Sequence, residues 1–322
     1  MDLGSFRLAL FRFSYRAEET VRMTGYKGNI LRGGFGAALK RVSCNVKRAS
    51  CDECMLKANC AYSQIFETPI PKDSKYFEGQ TFAPHPFVLE PSMNNVIEYK
   101  SGDQIDFHLV LIGKAIEFLP YFVIAFHILG EWGLGERVGR YRGSCFLEKI
   151  ESFDDSGKHR IVYIGESQQL SDEYSIITSE DILDTADKID QNIITLEFLT
   201  PTRIKSRGRL RDSIDFEMLI RSLLRRILAL SYFHCDQELE LDYKTLVQEA
   251  TQKVQKVHEE SQWNEWSRYS RRQNARMSLG GFKGKITFEG DLGTFIPFLL
   301  LGQYIHVGKG TAFGLGKYAI RD

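Results

Sequence analysis

Along the chain the apolar positions switch between a period of two and a period near 3.6, the marks of strand and amphipathic helix. Residues 5–14 alternate as a strand does, and residues 28–42 place Ile30, Leu31, Phe35 and Leu39 on one helical face. Residues 103–112 predict a second strand, 118–129 an apolar helix and 144–150 a further strand. The second half runs through the same plan. A strand is predicted over 193–204, a helix over 216–230 (Phe216, Leu219, Ile220, Leu223, Leu224, Ile227), a strand over 281–289, a helix from 295 and a strand over 317–320.

Two shared motifs make this more than a coarse likeness. Each second helix opens on Phe-x-Pro, at Phe118-Leu119-Pro120 and at Phe295-Ile296-Pro297. Each is followed by GxGxxxG, at Gly133, Gly135 and Gly139 and at Gly308, Gly310 and Gly314. The repetition predicts an α+β protein of two tandem ferredoxin-like (RRM-like) domains, each in the order β-α-(β)β-α-β. Residues 1–155 form the first, with a cysteine-rich insertion at 44–60, and residues 191–322 the second, with a helical insertion (242–263) and a glycine-rich loop. The acidic stretch 156–190 is expected to hold the linker, although 158–164 has strand character. The apolar run 118–129 is shorter than the ~20 residues of a membrane span and predicts a buried helix. Arginines interleave the apolar residues near Met1, so no signal peptide and no membrane are expected, and a reducing cytoplasmic setting follows.

Charge changes the picture through its distribution. Lys plus Arg and Asp plus Glu number 42 each, so the net charge is zero. Residues 151–190 nevertheless hold eleven acidic and three basic side chains, whereas 203–226 hold eight basic and three acidic. A polyanion responds to such a local patch and not to the chain total. Within it Arg203, Lys205, Arg207, Arg209 and Arg211 recur at every second residue, which in an extended segment places all five on one side, a stripe suited to a phosphate backbone. The segment 263–273 mixes Trp263, Trp266 and Tyr269 with Arg268, Arg271 and Arg272, pairing phosphate contact with base stacking.

The glycine motifs exclude two nucleotide-binding classes. Gly302 to Gly308-Lys309 has five intervening residues where a P-loop needs four, and Gly310 stands where the magnesium-binding Ser or Thr would be. GxGxxxG has the wrong spacing for a dinucleotide fingerprint and follows a helix instead of a strand. Glycine turns flanked by Lys309 and Lys317 offer backbone N–H groups and cations to a phosphate chain instead.

Cys44, Cys51, Cys54 and Cys60 form C-x6-C-x2-C-x5-C. In a reducing compartment such a group points to metal, and four thiolates suit structural zinc, with an iron–sulfur cluster as the other option. Cys145 and Cys235 stand alone and are expected to be buried.

Several segments together resemble the CRISPR-associated RAMP-superfamily endoribonucleases that cut precursor transcripts within the repeat. They are Leu31-Arg-Gly-Gly-Phe35-Gly36, the cysteine block 51–66, Pro84-His-Pro-Phe-Val-Leu89, the 266–273 segment with Gly280-Gly281, and His306-Val-Gly-Lys-Gly-Thr-Ala-Phe-Gly-Leu-Gly316. The terminal run is characteristic of the superfamily, and the cysteine block resembles one branch of it.

The resemblance implies two ferredoxin-like domains, repeat RNA or crRNA bound across them, other CRISPR effector subunits as partners, and metal-independent cleavage. In that chemistry the RNA's own 2′-hydroxyl attacks the adjacent phosphate and leaves a 2′,3′-cyclic phosphate, so the protein aligns, exchanges protons and stabilises charge. Relatives place a histidine and a tyrosine on or near the first helix. Here Tyr26 fits that position, while no histidine lies between Met1 and Phe82. Lys40, Arg41 and Lys47 are the residues that could supply charge there, and His306, beside Lys309, is the candidate general base. Tyr269 is the other candidate proton-transfer group. His85, His108, His127, His159, His234 and His258 receive no role. The competing expectation is a RAMP subunit that binds guide RNA without cutting it.

Overall fold

A computed structural model describes residues 3–46, 51–70, 83–206, 208–265, 267–270 and 275–321. The chain divides into an N-terminal unit, Ser5–Thr178 with Phe233–Gln237, and a C-terminal unit, Met1–Gly4 with Ser179–Tyr232 and Glu238–Asp322.

In the N-terminal unit the elements are β1 (Arg7–Ala17), α1 (Lys27–Ser43), α2 (Ala61–Phe66), β2 (Phe87–Pro91), β3 (Gln104–Ile112), α3 (Leu119–Trp132), β4 (Cys145–Phe153) and β5 (His159–Ile164). The sheet runs β5-β4-β1-β3-β2 with every pairing antiparallel. The four strands β1 to β4 therefore lie in the order 4-1-3-2. The core gathers where α1 meets α3: Phe35 stacks on Phe122 at 4.8 Å and on Phe126 at 4.9 Å between ring centroids. Gly34 permits this approach, because a Cβ there would stand 2.5 Å from Leu129 Cδ1. With the six-residue 3-10 helix before it (Gly113–Phe118), α3 makes a segment (Gly113–Trp132) long and apolar enough to cross a bilayer, yet Phe122 and Phe126 on it are fully buried within this core.

The C-terminal unit contains α4 (Ser179–Ala186), β6 (Ile193–Thr202), α5 (Phe216–His234, its last two residues grouped with the N-terminal unit), α6 (Tyr243–Lys253), β7 (Val254–Asn264), β8 (Ser267–Ser270), β9 (Ala275–Ser278), β10 (Gly281–Gly290), α7 (Ile296–Ile305) and β11 (Tyr318–Arg321). Its main sheet runs β7-β10-β6-β11, again antiparallel and again 4-1-3-2, while β8 and β9 pair as a hairpin. Tyr318 on β11 donates its hydroxyl to the Leu299 carbonyl at 2.6 Å, fixing α7 on the sheet.

Two expectations change, and one strand, β2, lies where the sequence pattern placed none. The helix expected over 242–263 stops at Lys253, and 254–264 is the edge strand β7. This strand is polar on both faces and mostly exposed, so no alternation marks it; its backbone pairing to β10, from Val254 opposite Gly290 to Asn264 opposite Gly281, defines it. β2 is buried at all five positions and likewise lacks alternation. The expected linker 156–190 is structured: β5 and the strand Gln169–Leu170 extend the N-terminal sheet, Ile177–Thr178 pairs with β1, and α4 belongs to the C-terminal unit.

Candidate nucleic-acid interface

The end of β6 and the glycine-rich loop after α7 are stitched together in the C-terminal unit. Lys309 N–H donates to the Arg203 carbonyl at 3.0 Å, Gly316 N–H to the Pro201 carbonyl at 3.2 Å, and Val307 N–H to the Gly316 carbonyl at 3.0 Å. Arg203 and Gly308 form a parallel bridge. Gly308, Gly310, Gly314 and Gly316 all have positive φ, so the tight path of this loop depends on glycine. At Gly316 a Cβ would also stand 1.9 Å from the Val307 carbonyl oxygen.

This stitching gathers like charges. Burial, then the charges of Lys205 and Arg203, push the ammonium of the exposed Lys309 below the ordinary lysine range. Burial likewise lowers the Arg203 guanidinium, against an attraction from Glu265. Cations held close to one another lack mutual compensation, and a phosphate group placed among them would supply it.

The expected five-residue stripe does not survive as a straight run. Lys205–Ser206 pairs with Arg209–Leu210 in a short hairpin, and Arg211 N–H returns to the Ile204 carbonyl at 3.0 Å. The chain reverses within the segment, so alternation in sequence no longer means one side in space. Arg203 and Lys205 stay with Lys309, Arg209 lies exposed on the return strand, and Arg207 lies outside the described residues. Lys317 N–H donates to Thr200 Oγ1 at 2.8 Å and its carbonyl accepts from Leu199 N–H. Arg268 and Tyr269 lie on β8, opposite Met277 and Arg276 of β9. Trp266, Arg271 and Arg272 lie outside the described residues.

His306 has no exposed surface. It caps α7 with φ 62°, donates its N–H to the Gly302 carbonyl at 2.9 Å, and sets Nδ1 3.1 Å from the Leu315 carbonyl. Its ring braces the glycine loop from inside, a position from which it cannot reach a substrate hydroxyl, so the expectation of His306 as general base is corrected on burial. Beneath the same helix end, Arg226 Nε donates to the Ile305 carbonyl at 2.9 Å, and burial pushes its guanidinium down to about 9. A cation at a helix C-terminus is favourable.

In the N-terminal unit Tyr26 is the N-cap residue of α1, and burial followed by the charge of Glu90 raises its phenol well above the ordinary range. A phenol so disposed holds its proton and is poorly suited to general-base work. Lys40 is exposed on α1, its Nζ 5.3 Å from the Tyr62 ring centroid. Sequence reasoning leaves out His85, whose Nε2 lies 2.6 Å from Arg32 Nη2 on α1. The Pro84-His85-Pro86 segment is visible in the sequence, but only the fold brings it to the first helix.

Cys44, Cys51, Cys54 and Cys60 line one cavity with Lys40, Lys57 and Tyr62. All four are free thiols of intermediate exposure. The donor set suits a soft cation, whereas among the described residues no three His, Cys, Asp or Glu side chains already converge as ligands. Burial, then Glu67, raises the Cys51 thiol. Cys145 is buried as expected, and Cys235 is of intermediate exposure.

Residues 6–175 match the AF_1859 N-terminal domain, and residues 196–318 match the CRISPR-associated endoribonuclease Cas6. The chain belongs to the CRISPR-associated RAMP proteins that process precursor transcripts. Its C-terminal unit is thus a Cas6 domain, and the family activity is endonucleolytic processing of CRISPR repeat RNA. An uncharacterized protein of Archaeoglobus fulgidus is 23% identical over 331 residues, covering 99% of this chain and 100% of that one. Among solved structures, a Cas6 product complex superposes with TM-score 0.59 at 15% identity over 98% of this chain and 100% of that one. Thermus thermophilus Cas6 superposes with TM-score 0.55 at 15% identity, over 99% and 100%. A partial Cas6-RT-Cas1–Cas2 complex gives TM-score 0.57 at 14% identity, covering 99% of this chain and 46% of the other. At these identities the superpositions establish a shared fold.

Proposed function

We propose that this Cas6-type protein cuts CRISPR repeat RNA without a catalytic metal, by attack of the RNA's own 2′-hydroxyl, and retains the crRNA it makes. The convergence of Arg203, Lys205 and Lys309 on the glycine loop, inside the Cas6 domain, carries this reading. Phosphate contacts from these residues, together with Lys317, Arg209 and the arginines of 268–272, position the RNA. The reaction then requires alignment, proton transfer and charge stabilisation, all within reach of side chains.

The 4-1-3-2 strand order in both units supports a tandem ferredoxin-like architecture. The shared cavity of Cys44, Cys51, Cys54 and Cys60 supports a structural zinc, with an iron–sulfur cluster as the other soft-ligand option. Four thiolates close a coordination shell and leave no open position for substrate. Other CRISPR subunits are partners of the retained crRNA complex, in a cytoplasmic setting.

Incubation with the host's own repeat RNA in EDTA tests the activity. A single cut leaving a 2′,3′-cyclic phosphate is expected, abolished when the 2′-hydroxyl before the scissile bond is replaced by hydrogen. Tight binding without cutting would instead identify a guide-binding subunit.

A further inference from the structure

The seven histidines occupy different electrostatic settings, and one setting stands apart. His127, His159 and His258 each face a carboxylate, Glu131 at 3.3 Å, Glu151 at 3.5 Å and Glu260 at 3.2 Å. His234 and His306 are buried and face the carbonyls of Pro84 and Leu315 at 2.7 and 3.1 Å. The ring of His108 lies 6.0 Å from that of Phe153. His85 instead faces a guanidinium, Arg32 Nη2 at 2.6 Å. An arginine can only donate, so the Nε2 it meets presents its lone pair, and the ring in that bond is neutral with its proton on Nδ1. A neutral imidazole with a defined lone pair is what a general base requires.

The pair is also held and reachable. The ring of Phe66 contacts that of His85 edge-on at 5.4 Å, Phe87 does so from the next strand at 5.4 Å, and Arg32 Cζ lies 4.7 Å from the Phe66 centroid. Both His85 and Arg32 keep partial exposure. The helix bearing Arg32 also carries Lys27, Lys40 and Arg41 and no acidic residue. Gly33, next to Arg32, is exposed, with no heavy atom within 4 Å of where a Cβ would stand, so a polymer can approach the helix backbone there.

We propose that His85 is the general base of cleavage, with Arg32 holding its lone pair in place until the scissile phosphate arrives and draws the guanidinium to itself. The inference rests on the endoribonuclease reading above. As Arg32 turns to the phosphate oxygens, Nε2 takes the proton of the attacking 2′-hydroxyl. The 2′-oxygen–phosphorus bond forms, the bond from phosphorus to the 5′-oxygen breaks, and that oxygen takes a proton from solvent water. His85 then returns its extra proton to water, so the cycle closes without an oxidant, reductant or further reactant.

The test compares wild type with His85→Gln, whose side-chain oxygen can accept from Arg32 where Nε2 did but cannot carry a proton away. Single-turnover cleavage of repeat RNA is expected to slow by roughly 10²–10⁴-fold. Affinity for RNA lacking the reactive 2′-hydroxyl should stay within about threefold of wild type, and the melting temperature should hold. On RNA whose leaving 5′-oxygen is replaced by sulfur, which departs without a proton, His85→Gln should remain slow, since the defect lies in the base. Cleavage by His85→Gln at the wild-type rate, loss of cleavage matched by loss of binding, or full recovery on the sulfur substrate would each overturn the assignment. Failure of the wild-type protein to cut at all would overturn the endoribonuclease reading itself, and is distinguishable because it appears before any substitution.

Discussion

Lys309 hangs from Arg203 by a backbone hydrogen bond of 3.0 Å, so two cations far apart in sequence share one edge of the fold. The bond fixes the main chain and brings both charged groups within electrostatic reach of each other and of Lys205. Replacing Lys309 by alanine should weaken binding of non-cleavable repeat RNA and reduce the log–log salt slope by about 0.7 for each phosphate that Lys309 neutralises. Because Lys309 titrates below an ordinary lysine, wild-type affinity should also fall on the alkaline side before that of Lys309→Arg does. Filter binding across salt and pH measures both, and an unchanged slope in Lys309→Ala would remove this residue from the interface.

The order of helices and strands was legible because amphipathic elements announce themselves: Phe216, Leu219, Leu223 and Ile227 lie on one stripe, and all four are buried. Elements lacking a contrast between faces were not. β2 is buried throughout and β7 is largely exposed, so neither alternates. The site was half legible for a related reason. Arg203, Lys205 and Lys309 stand out in sequence as local charge, but their convergence depends on a hairpin and a strand bridge. His85 and Arg32 are separated by 53 residues, and sequence spacing contains no sign of their 2.6 Å contact.

Glu151 is a second group whose environment decides its behaviour. It is register partner to Arg12 across β1 and β4, with Oε2 at 2.7 Å from Arg12 Nη2 and 3.1 Å from Lys149 Nζ. Burial works to raise its carboxyl, but the hydrogen bonds from Arg12 and Lys149 outweigh it and hold the group below the usual range. A depressed carboxyl stabilises the fold above its unfolded value of about 4.3 and loses that contribution as pH falls through its folded value. Glu151→Gln should therefore cost about 1.5–3 kcal/mol near neutral pH. The gap to wild type should narrow in acid, below about pH 4. Thermal melts at neutral and acid pH measure it, and a gap that widens in acid would contradict the sign.

The cysteine cavity predicts a metal of stated stoichiometry. Protein purified under reducing conditions should carry about one zinc, or one iron–sulfur cluster, per chain, as four thiolates around one centre imply. Cys51→Ser with Cys54→Ser should lose it and lower the melting temperature. Elemental analysis with thiol titration before and after chelation separates the outcomes: four rapidly titrating thiols and no bound metal in the wild type would leave the cavity a set of free cysteines.

His306 combines complete burial with a left-handed backbone at the end of α7, and each property makes its own demand. The φ of 62° favours glycine or asparagine over other residues, and the contact from Nδ1 to the Leu315 carbonyl needs a donor. Asparagine meets the first demand and can meet the second through its amide, whereas alanine meets neither. His306→Ala should therefore lower stability by about 1–3 kcal/mol, the range for leaving a buried polar partner unmatched. His306→Asn should fold with a smaller loss and cut repeat RNA near the wild-type rate, because the ring braces the loop and does not move a proton. Paired melting and single-turnover measurements decide it: a folded His306→Asn protein that binds RNA normally but cannot cut would return the proton transfer to His306 and away from the first helix.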